Sequence, residues 1–168
     1  MKTLLEIQGL NVTFETEEGV LEAVRAVDLI IQGGESVALV GESGSGKSVT
    51  ALSIMKLLGD TAKMSAEKMT LSGRSLLNLP PRELQKIRGN EIGMIFQEPM
   101  SSLNPVFRVG DQIAEVVQRH LGLGREASLK EAEFLLERVG ISDPHLRGRS
   151  YPHELSGGMK QRVMIAIA

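Results

Sequence analysis

The sequence predicts an α/β fold, and three observations carry that prediction. Two β-favouring stretches lie near the N-terminus, an apolar run passes through a glycine-rich loop into a helix, and the pattern turns helical after residue 105. With 168 residues, 42% hydrophobic and 24% charged, the chain has the composition of an ordinary globular domain and not of a disordered one. Its 21 acidic and 19 basic residues nearly cancel to a net charge of −2, which argues against nucleic-acid binding and against a polybasic membrane contact. The absence of Cys excludes a disulfide framework and cysteine-based zinc sites. No apolar run reaches the ~18 residues needed to span a bilayer, and "MKTLLEIQGLNVTFE" has no long apolar h-region. The chain is therefore expected to be mature, cytosolic sequence, with no direct membrane insertion and any membrane attachment made through a partner.

Residues 4–14 and 20–31 read as antiparallel strands with one wet face, separated by the polar "ETEEG". "ESVALVG" (35–41) differs, because Val37 to Val40 are apolar without alternation, as expected of a central strand buried on both faces. "KSVTALSIMKLL" then places Ala51, Ile54, Met55 and Leu58 at helical spacing, with Gly59 as the expected C-cap. A strand is expected around "KMTLSG", followed by a helix that starts at the tandem prolines of "LPPRELQKIRG" and ends at Gly89. "EIGMIFQ" (91–97) reads as a second buried strand, and "EPMSSLNP" breaks it with two prolines. Beyond it, Val109, Ile113, Val116 and Val117 share one helical face, as do Leu129, Ala132, Leu135, Leu136 and Val139. Asp143 and Pro144 form an N-cap and N1 pair for a further short helix. The expected organisation is a β subdomain plus loop-bearing core over 1–105, a helical insertion over 106–150, and a distinct motif with the start of its helix over 151–168.

"GESGSGKS" (41–48) sits between the apolar run and the helix. A helix N-terminus presents unpaired N–H groups with partial positive charge, and glycines let a loop wrap over them and surround an anion with donors. Gly41, Gly44 and Gly46 supply that freedom, Lys47 can reach the β- and γ-phosphates, and the Ser48 hydroxyl can ligate Mg²⁺. The spacing is G-x-x-x-x-G-K-[ST], that of a P-loop; the bland alternative is a flexible turn. "LSGGMKQR" (155–162) is a hydroxyl and two glycines directly before another helix, which makes it either a second anion site or an ordinary serine cap.

"GESGSGKS", "MIFQEP" and "LSGGMKQR", in this order, resemble the Walker A, Q-loop and signature motifs of ATP-binding cassette (ABC) ATPases. More narrowly, "IFQEPMSSLNP" and "YPHELSGGMKQRVMIAIA" are similar to the ATPase subunits of bacterial dipeptide, oligopeptide, nickel and glutathione importers. The resemblance implies a P-loop NTPase core of ABC type with an antiparallel β subdomain and a helical insertion. It also implies ATP and Mg²⁺ as cofactors, with Gly41, Glu42, Ser43, Gly44, Ser45, Gly46, Lys47, Ser48 and Val49 around the phosphates and Phe14 stacked on adenine. Gln97 would be the Q-loop residue, approaching Mg²⁺ and the attacking water. Ser156, Gly157 and Gly158 would close in trans over the γ-phosphate held by a second ABC ATPase domain, in a homo- or heterodimer. The loop after Gln97 and the insertion, about 98–150, would dock transmembrane permease subunits, with Met100, Leu103, Val106 and Phe107 as candidate contacts. On that reading the chain serves an importer at the cytoplasmic face of the bacterial inner membrane, and its solute is expected to be a peptide.

The family pattern continues beyond the signature with an apolar strand ending in Asp and Glu and, later, a switch histidine. Neither falls within the 168 residues, so the sequence is expected to be part of a longer protein, with an incomplete sheet and negligible hydrolysis by the chain alone. His120, His145 and His153 precede the signature and read as surface or loop residues. Two readings of a different class stay open: a non-catalytic, regulatory nucleotide-binding module, and a soluble ABC ATPase of DNA repair or translation.

Overall fold

The computed structural model describes residues 2–96 and 102–168. They form two compact units, one running through Leu84 and the other beginning at Gln85.

The first unit is built on the hairpin of β1 (Thr3–Thr16) and β2 (Gly19–Gln32), paired antiparallel with Phe14 opposite Leu21. β1 buries Leu5 and Ile7, then Leu10 and Val12, so the parity of its buried face changes once. The change falls at Gly9, where the register shifts and φ is +60°. An extra residue at a bulge returns the apolar side chains to the same face, and the Gly9 N–H left out of the ladder donates to Asp28 Oδ1 at 2.7 Å. β3 (Ala62–Ser65) and β4 (Lys68–Leu71) also pair with β1, and β5 (Arg74–Ser75) pairs with β4. The antiparallel subdomain and the strand around "KMTLSG" are therefore present as expected.

The two central strands are not. Residues 35–40 and 93–96 carry no strand, and over 91–96, the described part of the expected second strand, there is only an isolated parallel bridge between Arg88 and Ile92. A strand exists only as part of a ladder, and among the described residues neither apolar run finds one. Val40 is consequently 89% exposed, and Leu39, Ile95 and Phe96 are exposed with it. Apolar character without alternation was a sound sign of a surface that wants covering, but it does not supply the neighbour.

α1 (Lys47–Ile54) follows the glycine loop but ends earlier than expected, at Met55, and Gly59 is not its cap. Lys56 takes the left-handed position instead, with φ 48°. Leu57 N–H reaches back to Leu52 O at 2.9 Å and Lys56 N–H to Ser53 O at 3.0 Å, the paired bonds of a Schellman turn. α2 (Pro81–Ile87) starts at the second of the tandem prolines and stops before Gly89, whose φ is +81°.

The second unit packs α3 (Val109–Leu121), α4 (Arg125–Arg138), α5 (Pro144–Gly148) and α6 (Gly157–Ile167), with a short 3₁₀ turn at Pro152–Glu154. Val109, Ile113 and Val117 of α3 meet Ala132 and Leu136 of α4 and Val163 and Met164 of α6 in one cluster, as the helical spacing predicts. α3 crosses α5 at two glycines: a Cβ on Gly110 would lie 2.8 Å from Gly148 O, so the backbones touch directly. Asp143 occupies the expected N-cap position of α5, yet its side chain makes no capping bond because its own backbone is left-handed, at φ 51°. Leu103 is buried in the helical core at 3% exposure. It is therefore not available to a partner, whereas Val106 and Phe107 are exposed.

Leu136 is completely buried. Leu136→Ala should lower the stability of the helical unit by about 2–5 kcal/mol through lost transfer energy and a residual cavity, read from the shift of a urea unfolding curve.

Candidate functional site

The glycine loop is shaped by two left-handed residues, Gly44 (φ +81°) and Gly46 (φ +87°). Gly46 has a second constraint, because a Cβ there would sit 2.4 Å from the Ala23 carbonyl oxygen of β2. At Gly41 a Cβ would meet Ser45 Oγ at 2.6 Å. The loop thus lies tight against the hairpin and folds back on itself before α1 begins. Lys47, Ser48 and Val49 open the helix, and their N–H groups are those that an α-helix leaves without an internal acceptor. Thr50 N–H closes the first turn onto Gly46 O at 2.8 Å, and its hydroxyl bonds to the same carbonyl at 3.0 Å.

Lys47 is folded over the loop. Its ammonium donates to Gly41 O at 2.8 Å, Glu42 O at 2.6 Å and Ser45 Oγ at 3.2 Å, which uses all three donors. Ser43 and Ser48 are exposed beside it.

Register on the hairpin brings the aromatic ring to the loop. Phe14 and its cross-strand partner Leu21, together with Ala23, line a cavity of about 270 Å³ whose other wall is Gly44, Ser45, Gly46, Lys47, Ser48 and Val49. One side is apolar and the other presents N–H groups, a hydroxyl and an ammonium, so the cavity suits a flat ring joined to an anion. Leu21 and Ala23 were not singled out from the sequence. The signal was available, since a two-residue turn between β1 and β2 puts Leu21 opposite Phe14. Next to Phe14, the Glu15 carboxyl is held below the usual carboxylate range by a hydrogen bond from the Lys63 ammonium and, second, by its charge. Because the folded-state value is depressed, this contribution is present above the unfolded carboxylate range and fades as pH falls through the folded value.

At the other motif, Ser156 caps α6, its Oγ accepting from Met159 N–H at 3.3 Å. The serine-cap reading is thus met. Gly157 and Gly158 form the exposed first turn, and a Cβ at either would find no atom within 4 Å, so the approach to these N–H groups is open. Gln97 and Met100 lie outside the described residues. His145 is exposed and bonded to Glu133 at 2.8 Å, His153 is exposed and stacks on Tyr151, and His120 packs against Gly89. Among the described residues no group of three His, Asp or Glu side chains could hold a metal, and no helix is long and apolar enough to cross a membrane.

A family profile described as "ABC transporter" matches residues 24–168. A peptide import ATP-binding protein of Brucella abortus is 50% identical over 171 residues, which is 98% of this chain and 51% of that protein. The oligopeptide transport ATP-binding protein OppD is 48% identical in Bacillus subtilis, covering 98% of this chain and 46% of that protein. In Salmonella typhimurium OppD is 46% identical, again over 98% of this chain and 49% of that protein. The chain therefore spans about half the length of the curated relatives it matches. Among solved structures, the dimeric ATP-binding cassette MJ0796 in a post-hydrolysis state with ADP and Pi superposes with a TM-score of 0.84 at 28% identity, over 98% of this chain and 68% of that one.

The Gly46 geometry is testable by stability alone. Gly46→Ala should destabilise the first unit by at least about 1–2 kcal/mol, the cost of a left-handed Ala before the clash with Ala23 O is added. Gly59→Ala, with no left-handed backbone and open space around it, should be neutral or stabilising in the same unfolding assay.

Proposed function

The chain belongs to the ABC transporter family, its fold is that of the family's ATP-binding cassette, and from that premise we propose that it binds and positions ATP for an importer of peptides. The observation that carries the reading is the single cavity shared by Phe14 and residues Gly44 to Val49, in a chain that also carries the signature sequence. The curated relatives, named for peptide import or oligopeptide transport, support the solute class.

In this reading the adenine stacks on Phe14, and the phosphates are received by the N–H groups of Lys47, Ser48 and Val49 within the loop of Gly41, Glu42, Ser43, Gly44, Ser45 and Gly46. The Lys47 ammonium needs only to exchange carbonyl partners for β- and γ-phosphate oxygens; its charge already lies over the loop. Ser48 Oγ, exposed at the start of α1, would offer an oxygen ligand to a divalent cation, Gln97 would be the second by its place in the sequence, and Mg²⁺ held there would neutralise charge on the phosphates. Ser156, Gly157 and Gly158 offer exposed N–H groups and a hydroxyl to the γ-phosphate bound by a second cassette, completing a site that either copy lacks alone. Dimeric structures of the cassette MJ0796 support a second ATPase domain as partner. Loss of the bridging γ-phosphate reopens the pair, and the motion passes through residues near 98–150 to permease subunits at the cytoplasmic face of the inner membrane.

Lys47→Ala should weaken ATP binding about 10- to 100-fold, the scale of a lost charge-assisted hydrogen bond, in a titration with a fluorescent ATP analogue. Unchanged affinity would end the nucleotide reading. The residues placed here bind and position, and none of them is assigned to activate water, so the purified chain is expected to release phosphate negligibly; turnover at an ordinary enzymatic rate would contradict this.

A further inference from the structure

Thr50 is a polar residue with no part in the binding described above, yet it is only 4% exposed and both of its donors go to one atom. Its N–H reaches Gly46 O at 2.8 Å and its hydroxyl reaches the same oxygen at 3.0 Å. The first bond belongs to any helix; the second is an addition. Gly46 is the N-cap of α1, has no side chain with which to cap it, and is left-handed at φ 87° and ψ 3°. The first turn of α1 carries no acidic residue either. Among the described residues, the side chain that bonds the Gly46–Lys47 peptide is that of Thr50.

The Gly46 carbonyl shares that peptide with the Lys47 N–H. A planar trans peptide holds the two groups antiparallel, so tethering the oxygen to Thr50 aims the N–H out of the helix end, where Lys47 lines the cavity. Glycine lets such a peptide turn over, because its backbone is not confined to one region. Turned over, it would offer a bound anion a carbonyl oxygen in place of a donor. That rotation breaks both Thr50 bonds, and without the hydroxyl it breaks one. The hydroxyl also polarises the peptide it binds, which strengthens the N–H at the other end as a donor.

Ser53 supplies an internal comparison. It is completely buried, and its Oγ donates to Val49 O at 2.7 Å, again four residues back. The peptide it holds is Val49–Thr50, whose N–H is already spent on Gly46 O. Two hydroxyls thus make the same bond in one helix, and only that of Thr50 falls on a peptide whose N–H has no acceptor inside the helix.

We propose that Thr50 is a positioning residue for the phosphate site: from within the helix, and without touching the nucleotide, it sets the Gly46–Lys47 peptide so that the Lys47 N–H faces the phosphates. The proposal rests on the reading that this cavity binds ATP. Affinity falls by the fraction of chains in which the peptide has turned, so a buried hydroxyl governs a contact it does not make.

The test uses the purified chain, a fluorescent ATP analogue, and inorganic tripolyphosphate as a competitor that carries phosphates and no base. Thr50→Val keeps the shape of the side chain and loses the hydroxyl; it should weaken the analogue and the competitor alike, each about 3- to 10-fold. Thr50→Ala, which also lacks the hydroxyl, should repeat that result, and Thr50→Ser should restore binding to within about twofold of wild type. Ser53→Ala should change neither affinity. All affinities are compared well below every variant's thermal midpoint, so that unfolding adds nothing. The Lys47 amide proton gives a second readout, which a loss of stability alone does not move: at saturating ATP it should shift downfield in the wild type and in Thr50→Ser, and by less in Thr50→Val and Thr50→Ala. Wild-type affinity in Thr50→Val and Thr50→Ala, a loss in Thr50→Ser as large as theirs, or an undiminished Lys47 shift in both overturns the role of Thr50. Lys47→Ala separates the two ideas: if it binds the analogue as well as wild type, the nucleotide reading falls and this proposal with it, whereas weak binding there with full binding by Thr50→Val and Thr50→Ala removes only the present proposal.

Discussion

Gly46 has no room for a side chain. The carbonyl of Ala23 stands where a Cβ would be, and the residue is left-handed besides, so the loop before α1 is pressed against β2 at one point of backbone contact. Much follows from that contact. It sets the direction in which the first N–H groups of α1 point, and it places them two residues along β2 from Leu21, which is paired with Phe14. The N-terminal end of α1 and an apolar wall therefore share one cavity because a hairpin and a turn meet backbone to backbone there.

Lys47 adds the second part of the arrangement. An ammonium is a compact charge with three donors, and here all three are spent on the loop that carries it. The carbonyls of Gly41 and Glu42 would otherwise turn their negative ends toward any incoming anion. With the lysine bound to them, the loop is ordered and carries a positive charge, and on the proposed nucleotide reading the reorganisation on binding is confined to one flexible side chain.

The parts of this structure that were legible in the sequence are those governed by local chemistry. β-Favouring stretches on either side of a polar turn marked β1 and β2, helical spacing marked α3 and α4, and the tandem prolines marked the start of α2, because each pattern reflects local chemistry or a face turned to a nearby element. The glycine loop was legible for the same reason: its conformation is decided by residues within a few positions. What was not legible depended on something remote or on a competing local choice. Val37 to Val40 announce an apolar surface, but pairing is a property of two segments, and a run of valines does not specify its neighbour. Gly59 was a reasonable stop for α1, yet Lys56 adopted the left-handed turn three residues earlier and closed the helix with backbone bonds alone. Leu103 looked like a surface contact beside Val106 and Phe107, and only the packing of α3 and α6 shows that it belongs inside.

The glycine crossing of α3 and α5 bears on how the helical unit behaves as a mechanical part. Where Gly110 meets Gly148, main chain rests on main chain, and no rotamer can give way to absorb a push. The neighbouring bond from Val109 N–H to the Ser150 carbonyl, at 2.9 Å, fastens the same end of α3 to the strip of chain that leads into Ser156. The junction is a stiff one: a displacement of the start of α3 cannot be taken up there by side chains changing place, and is passed to the chain around Gly148 and Ser150.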